Sequence, residues 1–221
     1  MPEGQRFRVI VADNPWRYDD KLTMGGDDGV KRSADSQYKS TMSLPRILKM
    51  PVPDVSMGDC LLACWVTSPL LLDHGRRTMK AWGFDYKQTW VWVKTGGQTA
   101  YIQLGPEDGI PDYDLQLAFP MGRLSRTVCE FILMGTRGNM LRHLESKRER
   151  NVLLDPPRGH SVKTEKLQDA LERMFPGAEK HPKLELFARR QRPGWTCIGN
   201  EAPATEGEDI FDSLGNLIYG E

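Results

Sequence analysis

The 221-residue sequence lacks the features of several common protein classes. It has no run of about 18 apolar residues, so it predicts no membrane-spanning helix, and its N-terminal residues lack the hydrophobic segment of a signal peptide. It has neither a Walker loop nor a strand-borne Gly-x-Gly-x-x-Gly motif, which argues against a nucleoside triphosphatase and a standard dinucleotide enzyme. We therefore expect a cytoplasmic protein that does not interact with membranes.

Cysteine is scarce, with four residues and no Cys-x-x-Cys pair. Cys60, Cys64 and Cys129 lie in apolar segments, where a free thiol packs as a small hydrophobic side chain. No His or Cys pair near Cys60 and Cys64 completes a tetrahedral zinc site. The pattern predicts reduced thiols and no metal site.

The sequence has no net charge, because 30 Lys and Arg balance 30 Asp and Glu. Residues 201–221 hold six acidic residues and no Lys or Arg, so residues 1–200 carry 30 basic against 24 acidic residues, a net charge of +6. A moderately basic body is compatible with a nucleic-acid substrate, although a solvated surface gives the same pattern. The one locally basic stretch is 137–150. We predict a single domain over 1–200 and an acidic C-terminal tail over 201–221.

The distribution of apolar residues predicts an α/β fold. Seven segments read as strands: 7–12, 60–66, 88–93, 127–134, 151–154, 183–188 and 195–198. Helices are predicted to begin at Ser43, to run from Pro69 to Trp82, and to span 165–175, whereas 17–40 and 94–125 read as long loops. Strands separated by helices or long loops favour a mainly parallel sheet with crossover connections.

The tetrapeptide Asp13-Asn14-Pro15-Trp16 follows the first predicted strand directly. In an α/β sheet, ligands bind at the carboxyl ends of the strands. There the Asp13 carboxylate and the Asn14 backbone carbonyl suit the two hydrogens of an adenine amino group, whose nitrogen lone pair they would free for attack. Trp16 would stack on the base, which is worth roughly 1–3 kcal/mol. The same residues also suit an ordinary turn with a core tryptophan.

Further segments, in this order, resemble a known family. Together with the tetrapeptide they are 12–16, 65–69, 81–84, 90–95, 158–163, 184–190 and 194–201. They are similar to the motifs of the MT-A70 family, the adenine-N6 methyltransferases of messenger RNA and of many bacterial and phage DNA systems. The match extends over roughly residues 7–201.

The resemblance implies an S-adenosylmethionine-dependent methyltransferase with a Rossmann-like fold. Its sheet is expected to be mainly parallel with helices on both faces, and its motif order is permuted, with the catalytic segment near the N-terminus and the cofactor segment near the C-terminus. The implied catalytic residues are Asp13, Asn14, Pro15 and Trp16.

The resemblance also implies a set of cofactor-binding residues. Lys163 is expected to neutralise the methionine carboxylate, and Asp13 to bind its ammonium group. The adenosine part is assigned to four residues: Phe187 and Arg189 as flanks, and Asn200 and Glu201 as partners of the ribose hydroxyls. Taken singly, each of these residues also fits an ordinary core or surface role.

Two positions depart from the family pattern. Asn14 stands where the family usually has proline, but the predicted contact uses a backbone carbonyl, and Asn14 stays biased toward extended conformations because Pro15 follows it. We expect retained but weakened geometry. Thr164 stands where the family often has proline, which should affect only how the next helix begins. Asp155-Pro156-Pro157 lacks the aromatic residue and is assigned a structural role, as is His160.

The sequence thus predicts methyl transfer to N6 of adenine in nucleic acid, with the target base flipped out of its stack. DNA is preferred over RNA, because no zinc finger or basic RNA-binding extension is present. Two alternatives stay open. One is a catalytically silent, nucleic-acid-binding partner subunit, which the departure from the family motif at Asn14 would suit. The other is a methyltransferase acting on a small molecule. We expect a monomer or a dimer in a bacterial cell or a phage-infected host.

Overall fold

The computed structural model describes residues 4–18, 41–96, 101–104, 113–118, 125–159 and 162–220. The strands in these ranges are β1 (Phe7–Ala12), β2 (Ser56–Val66), β3 (Asp85–Lys94), β4 (Tyr101–Leu104), β5 (Tyr113–Gln116), β6 (Cys129–Arg137), β7 (Val152–Asp155), β8 (Lys183–Leu186) and β9 (Trp195–Ile198). The α-helices are α1 (Leu44–Leu48), α2 (Val52–Val55), α3 (Arg76–Ala81), α4 (Lys166–Met174) and α5 (Ile210–Tyr219). Within the described ranges no helix is long and apolar enough to cross a lipid bilayer.

Seven strands form one sheet in the order β7-β3-β6-β2-β1-β8-β9. Neighbouring strands are parallel, except that β6 runs antiparallel to both β2 and β3. β4 and β5 form a separate antiparallel pair inside the stretch predicted to be a long loop. The prediction of an α/β protein with a mainly parallel sheet is confirmed.

Helices cover both faces of the sheet, because its central strands are apolar on both sides. Alternate residues of β1 point in opposite directions. Ile10 packs in a core cluster that includes Ile47 of α1 and Leu214 of α5. Val11 packs in a second cluster with Leu171 of α4. The two clusters hold the sheet between α1, α2, α3 and α5 on one face and α4 on the other.

The segment predicted as one helix from Pro69 to Trp82 is divided into three parts. A 3₁₀ turn (Ser68–Leu70) and a π-helical turn (Leu71–Gly75) precede α3. The π-helical turn lies close against the sheet, since a Cβ at Gly75 would come within 2.7 Å of Leu133 Cδ1. The predicted stop at Gly83 agrees with the structure, where this residue has a left-handed φ of +77°.

The acidic segment predicted to be a tail contains α5, which packs into the core. Ile210 and Leu214 are at most 4% exposed. The backbone N–H of Gln5 donates a hydrogen bond to Leu217 O at 2.7 Å, so the end of α5 lies beside the start of β1. Among the acidic residues of this segment, the apolar residues at 210, 214, 217 and 218 have the spacing of one face of a helix.

Two predicted loops fall largely outside the described residues. Of the stretch 17–40, only Arg17 and Tyr18 are described, and of 94–125 the parts 97–100, 105–112 and 119–124 are not. His160, assigned a structural role from the sequence, also lies outside the described residues.

Candidate active site

The carboxyl ends of β1, β2, β8 and β9 meet at one edge of the sheet, where a cavity of about 70 Å³ opens. All nine residues that the sequence predicts for the site line it: Asp13, Asn14, Pro15, Trp16, Lys163, Phe187, Arg189, Asn200 and Glu201. The other lining residues are Tyr18, Trp65, Val66, Thr67, Glu130 and Ala188. The fold thus brings the N-terminal tetrapeptide and the C-terminal motifs to one place.

A cluster of four charged side chains lies at one side of the cavity, and three of them, Asp13, Glu130 and Lys163, line it. Lys163 Nζ lies 3.1 Å from Asp13 Oδ1 and 3.1 Å from Glu130 Oε2. Lys94 Nζ lies 2.6 Å from Glu130 Oε1. None of the four side chains is more than 25% exposed. Two carboxylates and two ammonium groups therefore interact in surroundings that screen them weakly.

The two carboxyl groups of this cluster differ in pKa. Burial raises the pKa of Asp13 above its ordinary value; Lys163 opposes this rise, and the negative charge of Glu130 adds to it. Burial also acts to raise the pKa of Glu130, but Lys163 and Lys94 outweigh it, so this pKa is lowered. Glu130 is thus the stable anion, and Asp13 is the carboxyl group whose ionisation depends on its surroundings.

Two lining residues, Glu130 and Tyr18, are not among the site residues that the sequence predicts. Glu130 lies at the start of β6, which reaches this edge because it runs antiparallel to its neighbours. Burying an acidic residue inside an apolar strand is costly unless the residue has a partner. The presence of Glu130 in such a strand is therefore the one feature of the sequence that could indicate a charged site there. The Tyr18 hydroxyl lies 2.7 Å from Thr67 Oγ1 at the cavity wall, and no sequence pattern distinguished it.

Asn14 is almost fully buried beneath the cavity, with 3% of its surface exposed. Its backbone carbonyl, predicted to bind adenine, accepts a hydrogen bond from the Trp16 N–H at 2.8 Å. A carbonyl oxygen has two lone pairs, so one acceptor position remains. The side-chain Nδ2 donates to Cys64 Sγ at 3.4 Å, while Oδ1 has no hydrogen-bond partner among the described residues.

Trp16 is packed mainly as a core residue. It is 5% exposed, and its Nε1 donates to Trp65 O at 3.2 Å. The ring of His74 packs edge-on against the indole at a centroid distance of 6.0 Å. Only a small area of Trp16 therefore contributes to the cavity wall, and its predicted stacking on a base stays a prediction.

The ends of β8 and β9 approach each other closely at the cavity. Phe187 has a φ of +60°, in the left-handed region that non-glycine residues rarely adopt, at a cost of about 1–3 kcal/mol. A Cβ at Gly199 would lie 2.8 Å from Phe187 Cα and 2.9 Å from Ala188 N and O. Strained backbone of this kind is concentrated at functional sites.

We expect Gly199→Ala to lower the free energy of unfolding by about 2 kcal/mol or more, because the added methyl group meets backbone atoms that side-chain rotation cannot move. Urea denaturation measures this change. Gly58→Ala is the matched control, since a Cβ there meets nothing within 4 Å. Equal denaturation midpoints for Gly199→Ala and the wild type would contradict the close contact.

Backbone contacts fix the loop that carries Asn200 and Glu201. Gly199 N donates to Thr205 Oγ1 at 2.9 Å, and Gly207 N donates to Asn200 O at 2.9 Å. Arg189 Nε lies 3.7 Å from Glu201 Oε2 at the exposed rim. The loop therefore presents an amide and a carboxylate to the cavity, and Arg189 adds a guanidinium group from the segment after β8.

Asp155, in the second Asp-Pro-Pro sequence, makes structural contacts. Its buried side chain accepts a hydrogen bond from Thr164 Oγ1 at 2.6 Å, and its backbone carbonyl accepts one from Trp92 Nε1 at 2.9 Å. Thr164 Oγ1 also accepts from the N–H of Lys166, the first residue of α4, at 3.2 Å. These contacts agree with the roles expected for Asp155 and Thr164.

The basic stretch 137–150 lies at the opposite edge of the sheet from the cavity, because β6 runs away from the cavity and ends at Arg137. Several of its charges are paired within the fold: Arg142 and His143 contact Asp59, and Glu149 pairs with Arg173 at 2.7 Å. This stretch does not line the cavity.

The cavity lies at the carboxyl ends of parallel strands, where α/β proteins bind their ligands. The MT-A70 family model matches residues 7–201, more than half of the chain. The chain therefore belongs to the MT-A70 family of adenine-N6 methyltransferases, and the resemblance inferred from its motifs is confirmed.

Three relatives illustrate the range of the family. The type II methyltransferase M.MunI of Mycoplasma sp is 28% identical over 211 residues, which cover 90% of this chain and 79% of that protein. The N(6)-adenine-specific methyltransferase METTL4 of Mus musculus is 29% identical over 216 residues, covering 96% of this chain and 41% of that protein. The N(6)-adenosine-methyltransferase MT-A70-like protein of Drosophila melanogaster is 27% identical over 198 residues, which cover 89% of this chain and 27% of that protein. The chain thus spans less than half of the two animal relatives.

Proposed function

We propose that this chain transfers a methyl group from S-adenosylmethionine to N6 of adenine in DNA. The observation that carries the proposal is the Asp13–Lys163–Glu130 cluster, which shares one cavity with the Asn14 carbonyl and the cofactor residues inferred from the sequence. The choice of DNA is supported by the type II methyltransferase relative, 79% of which this chain covers.

The residues at the cavity fit S-adenosylmethionine, the methyl donor of this family. Its methionine end carries one positive and one negative charge, and the cavity offers Asp13 and Lys163 3.1 Å apart. Asn200 and Glu201 provide hydrogen-bonding groups for the two ribose hydroxyls, with Phe187 and Arg189 beside them. When bound, the cofactor supplies an electrophilic methyl group on its sulfonium.

The arrangement also supports the finer fold assignment, a Rossmann-like methyltransferase fold with permuted motif order. The catalytic tetrapeptide follows β1, near the N-terminus, and the cofactor residues follow β8 and β9, near the C-terminus. These strands are adjacent in the sheet, so the two segments meet although more than 170 residues separate them.

In the proposed reaction, Asp13 and the Asn14 carbonyl accept hydrogen bonds from the two hydrogens of the adenine amino group. This interaction draws the nitrogen toward a tetrahedral geometry and frees its lone pair to attack the methyl group. Methyl transfer leaves the nitrogen with a positive charge, and its extra proton departs to Asp13 or to water. Both oxygens of Asp13 can accept hydrogen bonds only when the carboxyl group is ionised. Lys163 favours the ionised form, because its positive charge lowers the pKa of Asp13.

Glu130 has a positioning role in this scheme. Its two oxygens contact Lys94 and Lys163 separately, so it holds the Lys163 ammonium group beside Asp13. Because Glu130 stays ionised, Lys163 keeps a charged partner when a ligand displaces it from Asp13. Such prior ordering of charges is the main source of electrostatic stabilisation in enzymes.

The test combines cofactor binding with product analysis. The purified chain is titrated calorimetrically with S-adenosylmethionine and then incubated with it and with DNA and RNA oligonucleotides of one sequence, single- and double-stranded. Mass spectrometry of the nucleosides is expected to show N6-methyldeoxyadenosine from DNA in excess over N6-methyladenosine from RNA.

Three results would contradict the proposal. Absence of cofactor binding would indicate the catalytically silent partner subunit. Methylation of free nucleosides without methylation of polymer would indicate a small-molecule enzyme. Faster methylation of RNA than of DNA would overturn the choice of substrate.

A further inference from the structure

The side chain of Asn14 reaches from the turn after β1 to the neighbouring strand β2. These strands pair in parallel with Ala12 opposite Cys64, so the turn passes the carboxyl end of β2. Asn14 Nδ2 donates a hydrogen bond to Cys64 Sγ at 3.4 Å. Only 3% of Asn14 and 0% of Cys64 are exposed. The contact therefore ties the tetrapeptide 13–16 to a central strand at a position shielded from water.

Few other hydrogen bonds hold Asn14. Its backbone N–H donates to no acceptor among the described residues, and its carbonyl accepts only from Trp16 N, within the same turn. The residue before it has a backbone bond across the sheet, since Asp13 N donates to Leu186 O at 3.4 Å. In the described part of the chain, the bond to Cys64 is thus the one hydrogen bond that joins Asn14 to a distant segment.

The amide of Asn14 is poorly suited to stabilise the fold. Its Oδ1 is buried and accepts no hydrogen bond from the described residues. A buried acceptor without a partner costs more than an ordinary hydrogen bond contributes, and sulfur is a weak acceptor for Nδ2. Proteins retain such a polar group where a site requires it. The effect of this side chain on the tetrapeptide explains its presence better than a contribution to folding.

Cys64 suits this contact because it stays a neutral thiol. Burial raises the pKa of the thiol to about 12, and the negative charge of Asp13 adds to the rise. A thiol can accept one hydrogen bond and donate another. Cys64 Sγ donates to Trp65 O at 3.8 Å, and the same carbonyl accepts from Trp16 Nε1 at 3.2 Å. Cys64 thus connects the Asn14 side chain to the carbonyl that holds the Trp16 indole.

We propose that Cys64 is a positioning residue, whose thiol holds the Asn14 backbone carbonyl where it accepts a hydrogen of the adenine amino group. The inference rests on the proposed function, in which that carbonyl is one of two acceptors. The hydrogen bonds form a closed ring. Asn14 Nδ2 donates to Cys64, which donates to Trp65 O. Trp16 completes the ring, because its Nε1 donates to Trp65 O and its N–H to Asn14 O.

Asn14 requires such a contact because its backbone is freer than that of a proline. Pro15 has its own φ fixed and biases Asn14 toward extended conformations, but Asn14 keeps a rotatable φ. A hydrogen bond from the side chain restricts this rotation, which a proline ring would restrict covalently. Catalytic groups have to be held within about 0.5 Å of the productive geometry. A small rotation of Asn14 is therefore enough to lower the rate.

The test compares two alanine variants in the same strand. Cys64→Ala removes the acceptor of the Asn14 amide. Cys60→Ala is the matched control, because Cys60 is also 0% exposed and belongs to the same core cluster, but its Sγ donates to Leu61 O at 3.7 Å and not to the tetrapeptide. Each variant deletes one buried sulfur atom, so both should lose similar stability. Only Cys64→Ala should affect the Asn14 carbonyl.

Cys64→Ala is expected to lower the single-turnover rate of methyl transfer to DNA about tenfold, the effect of losing one hydrogen bond. Its calorimetric affinity for S-adenosylmethionine should stay within about twofold of the wild type, because no cofactor contact is removed. Cys60→Ala should match the wild type in both measurements. A loss of rate without a loss of cofactor affinity separates positioning of the carbonyl from general disruption of the cavity.

Amide hydrogen exchange, followed by NMR, tests the contact without any ligand. The Trp16 N–H donates to Asn14 O at 2.8 Å, so its exchange reports whether that carbonyl is held. Cys64→Ala should exchange this hydrogen about tenfold faster than Cys60→Ala. The measurement requires neither cofactor nor DNA, so it stays independent of the proposed function.

Asn14→Pro tests whether Cys64 acts through the Asn14 side chain. Proline fixes φ without a side-chain partner, and the N–H that it removes has no acceptor among the described residues. In this background Cys64→Ala should change the rate by less than about twofold. Asn14→Ala deletes the donor of the same bond, and it replaces Cys64→Ala in the rate and exchange measurements if circular dichroism shows that Cys64→Ala is unfolded.

Equal rates of Cys64→Ala and Cys60→Ala would overturn the inference, as would equal exchange of the Trp16 N–H or a parallel loss of cofactor affinity. A loss of rate that persists in full in the Asn14→Pro background would also contradict it. If Asn14→Pro is too slow to measure, the two cysteine variants decide. If the wild type transfers no methyl group, the proposed function fails, and hydrogen exchange alone decides whether Cys64 holds the carbonyl.

Discussion

Asp13→Ala is expected to lower the rate of methyl transfer about a hundredfold or more, the loss typical of a key polar group in a preorganised site. Asp13 is the one side-chain acceptor that the proposed reaction places on the adenine amino group. The variant should remain folded, because Lys163 keeps Glu130 as a charged partner at 3.1 Å. It also removes a partly buried carboxyl group whose ionisation the fold disfavours. Single-turnover transfer of labelled methyl groups to DNA measures the effect.

Asp85→Ala is the matched control, since Asp85 is an exposed aspartate at the amino end of β3, the edge of the sheet opposite the cavity. It should methylate DNA at the wild-type rate. Near-normal methylation by Asp13→Ala would show that the backbone carbonyl of Asn14 suffices, and the proposed role of Asp13 would be wrong. Thermal denaturation of both variants separates lost chemistry from lost folding.

Lys163→Met should lower kcat/KM about a hundredfold and move the acid limb of its pH profile to higher pH. The reacting form has ionised Asp13, so activity rises as the pH rises through the pKa of this group. Burial already raises that pKa, and Lys163 opposes the rise. Without the ammonium group the pKa rises further, and a higher pH is needed for the same activity. The affinity for S-adenosylmethionine should fall as well, because its carboxylate loses a cationic partner.

Lys166→Met provides the comparison for Lys163→Met, since Lys166 is a half-exposed lysine that contacts Asp155 and Leu154 O, away from the cavity wall. Its pH profile should match that of the wild type. The proposed electrostatic role of Lys163 is wrong if its removal lowers activity equally at every pH. Profiles of kcat/KM and calorimetric titrations with the cofactor, recorded on both variants, make the distinction.

Several elements could be predicted from the sequence because their signals are local. The first and last strands, 7–12 and 195–198, have the predicted bounds, since each is a short apolar run that a turn-forming residue ends. The helix predicted over 165–175 differs from α4 only in its cap residues, Glu165 and Phe175. Its one-sided apolar spacing requires no knowledge of the rest of the chain.

Nine of the residues that line the cavity could be predicted because they belong to sequence motifs. Lining residues outside the motifs could not be predicted. Glu130 enters the cavity only because β6 reverses direction between β2 and β3, and strand direction depends on long-range pairing that a local pattern does not reveal. Lys94 and Glu130 are 36 positions apart in sequence yet 2.6 Å apart in space. Such a pair carries no signal in a single sequence.

The packing of α5 is not evident from the sequence for a different reason. The six acidic residues of 201–221 dominate the composition of that segment, and composition predicted an acidic tail. Burial depends instead on the four apolar positions of the helix, which pack on the face formed by α1, α2 and α3. Net charge describes the solvent side of a helix and says little about the side that packs.

The hydrogen bond between Gln5 N and Leu217 O, 2.7 Å long, places the end of the last helix beside the start of the first strand. The two ends of the described chain could therefore be joined without changing how its segments pack. A circular permutant in which 202–220 precedes residue 4 through a short linker would keep α5 packed on the same face of the sheet.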